Sequence, residues 1–272
     1  VNLGQQLSDG IAKGLTLRYA LRAAGKARLI SVQRQFDWGL VERPHYAYGL
    51  ARAAAEAQGL GHSGMTVLEF GVAGGNGLVA MEEYADYVAR TSGLRIDVVG
   101  FDTGRGLPAP VDYRDAPHLW APGDFNMDEE LLRRRLRGAQ LVLGDVRETA
   151  SQFVVDLDPK RPIGFVAFDL DLWSSTMSAF DIFRGEPRSC LPRVWCYFDD
   201  IVAMIEDVGE LLAIEEFNAE GHGRKIRHPW MLRANVPLRP PWADQMFQAH
   251  LFDHPEYTRL IAPPESRALP LN

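Results

Sequence analysis

The sequence predicts an α/β fold: a doubly wound, mostly parallel, seven-stranded sheet preceded by a helical N-terminal extension. Three observations carry that prediction. Short apolar and β-branched runs alternate with amphipathic stretches, the pattern of strand–helix–strand units that pack helices on both faces of a sheet. The first of these runs, Val67-Leu68-Glu69-Phe70, passes straight into Gly71-Val72-Ala73-Gly74-Gly75-Asn76-Gly77, a tight turn that opens a helix. Acids then recur at five strand ends: Glu69 with the glycine turn, Asp102, Asp145, Asp169 with Asp171, and Asp199 with Asp200. In doubly wound sheets ligands bind at the C-terminal strand ends, near the point where strand order reverses. One such acid means little, but five in succession suggest a site.

The elements follow in chain order. Residues 1 to about 40 are the least readable; Lys13, Arg18, Arg22, Lys26 and Arg28 suit the solvated face of a helix. Pro44 can open an alanine-rich helix over 46–58, and residues 59–64 end it. After the glycine turn, Leu78, Met81, Ala85 and Val88 recur at helical spacing. Residues 95–101 form the second strand. Residues 103–127 are a long loop rich in Gly, Pro and Asp, with His118 and Trp120 as candidate anchors; a loop of this length is usually functional. Asp128-Glu129-Glu130 opens a helix that closes in Arg133-Arg134-Arg135, matching charge to the helix dipole. Strands are expected at 141–143, 163–168, 194–198, 224–232 and 246–252. A helix capped by Ser174 or Ser175 follows the fourth strand, with Met177, Phe180 and Phe183 inward, and another spans 208–219. The chain divides into an extension or lid over 1–60 and a catalytic domain over 61–272.

Composition narrows the classes. The 272 residues are 46% hydrophobic, enough for one large core. A net charge of −7 argues against generic nucleic-acid binding, which usually needs a basic face. Two cysteines, Cys190 and Cys196, indicate neither a disulfide framework nor a zinc site. No apolar run is long enough to span a bilayer, and no signal-peptide core opens the chain, so a cytoplasmic protein is expected.

The glycine turn reads as a nucleoside-cofactor site, because glycine lets backbone approach a ligand and a helix start offers free N–H groups. A dinucleotide fingerprint would read G-x-G-x-x-G. Here the spacing is Gly71-x-x-Gly74-Gly75-x-Gly77, with Glu69 two residues earlier. That resembles motif I of class I S-adenosylmethionine-dependent methyltransferases, which have a Rossmann-like fold. In them an acid like Asp102 holds the ribose, with Thr103 beside it, and one like Asp145 approaches the adenine amino group. Phe101-Asp102-Thr103-Gly104-Arg105-Gly106-Leu107-Pro108, Asp169-Leu170-Asp171-Leu172-Trp173-Ser174-Ser175-Thr176 and Phe198-Asp199-Asp200 resemble three motifs of the macrocin O-methyltransferase family, which methylates sugars. The resemblance spans roughly residues 65 to 205. Trp173 and Ile201 depart from its usual tyrosines.

The resemblance implies a divalent cation, usually Mg²⁺, held by Asp169, Asp199 and Asp200, and hard oxygen donors suit that ion. Methyl transfer needs an aligned acceptor oxygen and a base to take its proton. Asp169 is the expected combined ligand and base, with His118 the alternative base. Asp171 is an expected helper or helix cap, and Trp173 a candidate to stack on a sugar ring. The reading is a metal-dependent O-methyltransferase acting on a sugar hydroxyl, of a glycoside, a glycosylated natural product or a polysaccharide. A catechol- or phenol-type O-methyltransferase is the alternative within the fold; an NAD-dependent oxidoreductase is the alternative from another class. A homodimer is the expected assembly, with no nucleic-acid partner.

Overall fold

A computed structural model describes residues 17–261 apart from 18, 28 and 203–205. Seven strands form one sheet in the order β3-β2-β1-β4-β5-β7-β6. They are β1 (Gly64–Phe70), β2 (Arg95–Asp102), β3 (Gln140–Leu143), β4 (Ile163–Phe168), β5 (Cys190–Phe198), β6 (Arg224–Arg227) and β7 (Met246–Leu251), and the helices include α1 (Val32–Asp37) and α4 (Glu129–Arg135). The first five run parallel, and β7 is antiparallel to both β5 and β6. Strand order reverses between β1 and β4, so the switch point lies at the end of β1, where the glycine turn begins.

Both faces of the sheet are covered, so the central strands are apolar throughout instead of alternating. All seven residues of β1 and all six of β4 are buried. Successive side chains still point to opposite faces. Met65 and Val67 enter one core with helix α2 (Pro44–Leu60) and helix α3 (Asn76–Ser92), while Leu68 and Phe70 enter the other. In the second core Phe101, Phe70, Phe168 and Phe198 stack across four adjacent strands, with centroids 4.6, 5.6 and 4.7 Å apart. This aromatic ladder is built from residues in register at the C-terminal strand ends, directly before the acids.

Part of the segment over 1–60 packs on the sheet, and three sequence expectations change. In α2, Tyr46, Leu50, Ala53, Ala54, Ala57 and Leu60 are all buried, and a Cβ at Gly49 would fall 2.3 Å from the Phe165 ring. The small residues let α2 lie close on β4 and β5. Neither Ser174 nor Ser175 caps helix α6 (Trp173–Ala179). Leu172 occupies the cap position, and the exposed helix-start N–H of Ser174 donates to Oδ1 of Asp115 at 2.7 Å. The sixth strand stops at Arg227, short of 232; His228 and Pro229 lead instead into a short helix, Leu232–Asn235. The fifth strand begins earlier, at Cys190. Cys190 and Cys196 are buried and unbonded, and burial pushes the Cys190 thiol up to about 12 and Cys196 higher still. Of the basic N-terminal residues, Arg22 donates to the Val41 carbonyl at 3.0 Å, while Lys13, Arg18 and Arg28 lie outside the described residues.

Candidate active site

A cleft of about 330 Å³ opens at the C-terminal ends of the five parallel strands, β1 to β5. One side carries Gly71, Ala73, Asp102, Thr103 and Asp145; the floor carries Asp169, Asp171, Asp199 and Asp200; Leu107, Pro108, Trp120 and Phe125 form an apolar wall. The structure therefore gathers the acids of four strand ends into one place.

The glycine turn is built more by the protein's own packing than by ligand approach. Gly71 has φ +84°, and a Cβ there would lie 1.7 Å from the Asp169 carbonyl oxygen. Gly75 has φ +76°, and its Cβ would press into Leu132. A Cβ at Gly77 would lie 1.8 Å from Oε1 of Glu69. A Cβ at Gly74 would meet nothing within 4 Å. Among the four glycines, only Gly71 lines the cleft.

Asp102 stitches β2 to this turn. Its Oδ2 accepts from Val72 N (3.0 Å) and Ala73 N (2.8 Å), and its Oδ1 from Gly104 N (2.7 Å). Thr103 donates its hydroxyl to Gly106 O at 2.7 Å and so shapes the start of the loop. Asp145 caps helix α5 (Val146–Asp156), and the Arg147 guanidinium holds its carboxyl below the usual range. Glu69 does not reach the cleft. It is 1% exposed, lies behind the turn and accepts from the Tyr46 hydroxyl at 2.6 Å, while its Oε2 is buried without a partner. Burial pushes Glu69 up to about 8, and the Tyr46 bond only partly offsets it.

The floor is crowded with negative charge. Burial, then repulsion from Asp199 and Asp200, raises Asp169 to about 7, with Arg43 pulling the other way. Burial, then Asp200 and Asp169, raises Asp171 to about 8; burial, then Asp199, raises Asp200 to about 6. Asp171 sits in the left-handed region at φ +58°, and its main-chain N–H donates to Oδ2 of Asp200 at 3.1 Å. Asp199 accepts at Oδ1 from the Tyr197 hydroxyl.

Two sequence candidates stand elsewhere. His118 is exposed on its loop and does not line the cleft. Trp173 is covered: the Arg114 guanidinium lies 3.5 Å from its ring centroid, and its Nε1 donates to Oε2 of Glu216 at 2.9 Å. Trp173 is not among the residues that line the cleft, and the chain uses it to dock its own loop. Sequence reasoning missed Arg43 and Tyr197 and left His45 undecided between a structural role and contact with the acceptor. Arg43 read only as the residue before a helix-opening proline. His45 stacks on Tyr197 at 3.9 Å, and burial, then Arg43, pushes it down to about 3. Tyr197 looked like one more apolar strand residue.

Among the described residues, no group of three or more His, Cys, Asp or Glu stands in a ligating arrangement. The donors gathered there are carboxylate oxygens, the chemistry a hard cation takes. Among the described residues Asp199 and Asp200 each have one oxygen engaged and one uncommitted, and the crowded carboxylates would be relieved by positive charge.

Fold and cleft define a doubly wound α/β protein with a cleft at the switch point. No protein-family model matches the chain, and no curated protein matches it. Solved structures do. CalS11, a calicheamicin methyltransferase, is 23% identical over 62% of this chain and 69% of its own, with a TM-score of 0.47. The apo structure of CalS11, described as a TDP-rhamnose 3'-O-methyltransferase, is 25% identical over 69% of this chain and 76% of its own, at 0.40. An O-methyltransferase from Bacillus cereus in complex with SAH is 15% identical over 88% of this chain and 90% of its own, at 0.37.

Proposed function

We propose that this chain is an S-adenosylmethionine-dependent O-methyltransferase that uses a divalent cation, with a sugar hydroxyl as acceptor. The observation that carries the reading is the two-sided cleft: a glycine turn with Asp102 and Asp145 on one side, and Asp169, Asp199 and Asp200 on the other. The first side suits a nucleoside, and the second suits an oxygen that must lose a proton. The sheet supports it against the NAD alternative. A dinucleotide fold of the 3-2-1-4-5-6 order ends in a further strand, whereas here an antiparallel β7 lies between β5 and β6.

The cofactor, when bound, supplies an activated methyl, and a divalent cation supplies positive charge that lowers the pKa of a nearby hydroxyl. The chain's residues do the rest. Asp102 and Asp145 orient the nucleoside. Asp199 and Asp200, with Asp169, would hold the cation. Among the described residues none donates a hydrogen bond to the Asp169 carboxylate, so its oxygens are left to the cation and to the acceptor's proton. The wall of Leu107, Pro108, Trp120 and Phe125 is the apolar surface that would face the acceptor. That wall also favours a second reading, a flat phenolic acceptor with vicinal hydroxyls. A homodimer remains the proposed assembly. Among the described residues, no helix is long and apolar enough to cross a membrane.

The test is calorimetric titration with S-adenosylhomocysteine, with and without Mg²⁺, beside NADH. Binding of S-adenosylhomocysteine alone supports the reading; binding of NADH instead overturns it. Asp169→Asn is expected to abolish turnover while S-adenosylhomocysteine still binds. Undiminished wild-type turnover in excess chelator would remove the cation from the reading.

A further inference from the structure

Asp199 and Asp200 are held from opposite sides by groups that the chemistry above does not use. On one side the Tyr197 hydroxyl donates to Oδ1 of Asp199. Gln245 fixes that direction. Its Nε2 donates to the Asp199 carbonyl at 2.8 Å and to the Tyr197 oxygen at 3.2 Å, so the phenol accepts from Gln245 and turns its own hydrogen to Asp199. The Tyr197 ring is 2% exposed and lies nearly parallel on His45, 16° between planes. On the other side the main-chain N–H of Asp200 donates to Oε2 of Glu210 at 3.0 Å. Glu210 is fully buried, and its Oε1 has no partner among the described residues.

Core packing alone does not ask for these groups. A buried polar atom without a partner costs about 1–3 kcal/mol. Phenylalanine at 197 would fill the same space, and an apolar residue at 210 would carry no orphan oxygen. The polar atoms sit where they touch the two acids. We propose that Tyr197 and Glu210 are positioning residues: Tyr197 aims the uncommitted oxygen of Asp199, and Glu210 fixes the backbone of Asp200, so that both acids present an oxygen to one divalent cation. Like charges at neighbouring positions would otherwise rotate apart, and each hold sets one of them against that repulsion. This inference rests on the cation-assisted reading above.

The experiment uses the full chain as wild type, Tyr197→Phe, Glu210→Gln and Glu210→Ala. Mg²⁺ is titrated calorimetrically into each after saturation with S-adenosylhomocysteine, and Mn²⁺ resonance spectra report the coordination. Tyr197→Phe is expected to weaken Mg²⁺ binding by about 10- to 100-fold, as loss of a group behind a metal ligand does. Its affinity for S-adenosylhomocysteine and its melting temperature should stay near wild type. Glu210→Ala should weaken Mg²⁺ similarly, and Glu210→Gln, which keeps an oxygen for the Asp200 N–H, should restore it to within a few-fold. Wild-type Mg²⁺ affinity in Tyr197→Phe overturns the inference, even where Glu210→Ala fails to fold. So does parallel loss of both ligands, which marks a purely architectural role. A wild-type protein that binds S-adenosylhomocysteine but no Mg²⁺ also overturns it and leaves the cofactor reading standing. One that binds neither removes the proposed function itself.

Discussion

Gly71 and Gly74 occupy one turn for different reasons, and substitution separates them. Gly71→Ala would set a Cβ 1.7 Å from a backbone oxygen at a positive φ, a strain no rotamer relieves. It is expected to cost several kcal/mol and to lower the melting temperature sharply in calorimetry. Gly74→Ala meets open space, so the fold should be unaffected. If a cofactor passes along this turn, Gly74→Ala will weaken S-adenosylhomocysteine binding without moving the melting temperature. Glu69 gives a prediction in pH. Its carboxyl titrates near 4.5 when unfolded and near 8 when folded, so its stabilising share is full below 4.5. Between those values the unfolded chain has lost the proton and the folded chain still holds it. Stability should therefore fall as pH rises from about 4.5 to about 8, by a few kcal/mol from this group. Glu69→Gln should flatten that slope in urea melts at pH 5 and pH 8.

The loop over 103–127 behaves as a docked element. Asp115, fully buried, accepts from Val111 N, Ser174 N and the Ser174 hydroxyl, and Arg114 covers Trp173. The loop also bonds to itself, Leu107 N to Asp124 O and Gly123 N to Leu107 O. Asp115→Ala removes the cap of α6 and leaves the Ser174 and Val111 N–H groups without their acceptor. About 2–3 kcal/mol is expected, or roughly 4–12 °C in melting temperature, with faster proteolysis inside 103–127 as the check. This element also marks where sequence reading ran out. Strands and flanking helices were legible because period and apolar runs are local properties of the chain. The acids at the strand ends were legible for the same reason. The partner that caps α6 lies fifty-nine residues away, and no local pattern announces it. Ser174 looked like a cap because serine usually is one; here its hydroxyl serves the same distant aspartate. Tyr197 was hidden because its place in the strand alternation is that of a core residue, and only the folded neighbourhood of Asp199 gives its hydroxyl meaning.

At the scale of the molecule, α2 belongs to the sheet it covers. Chain removed up to residue 60 would bare Phe165, Trp195 and Tyr197 and delete the Tyr46 bond to Glu69. A chain starting at 61 is therefore expected to show no cooperative unfolding transition in calorimetry. The electrostatics act at the same scale, since α2 brings Arg43 to a floor otherwise built of acids. The two cysteines of β5 offer a consequence of a different kind. Both thiols are sealed in the second core and held far from the thiolate form. An alkylating reagent can reach them only when the sheet opens, because thiolate and access are both needed for reaction. The rate of their labelling thus clocks the rare opening of the central sheet, and a ligand that closes the cleft should slow that clock in proportion to its occupancy.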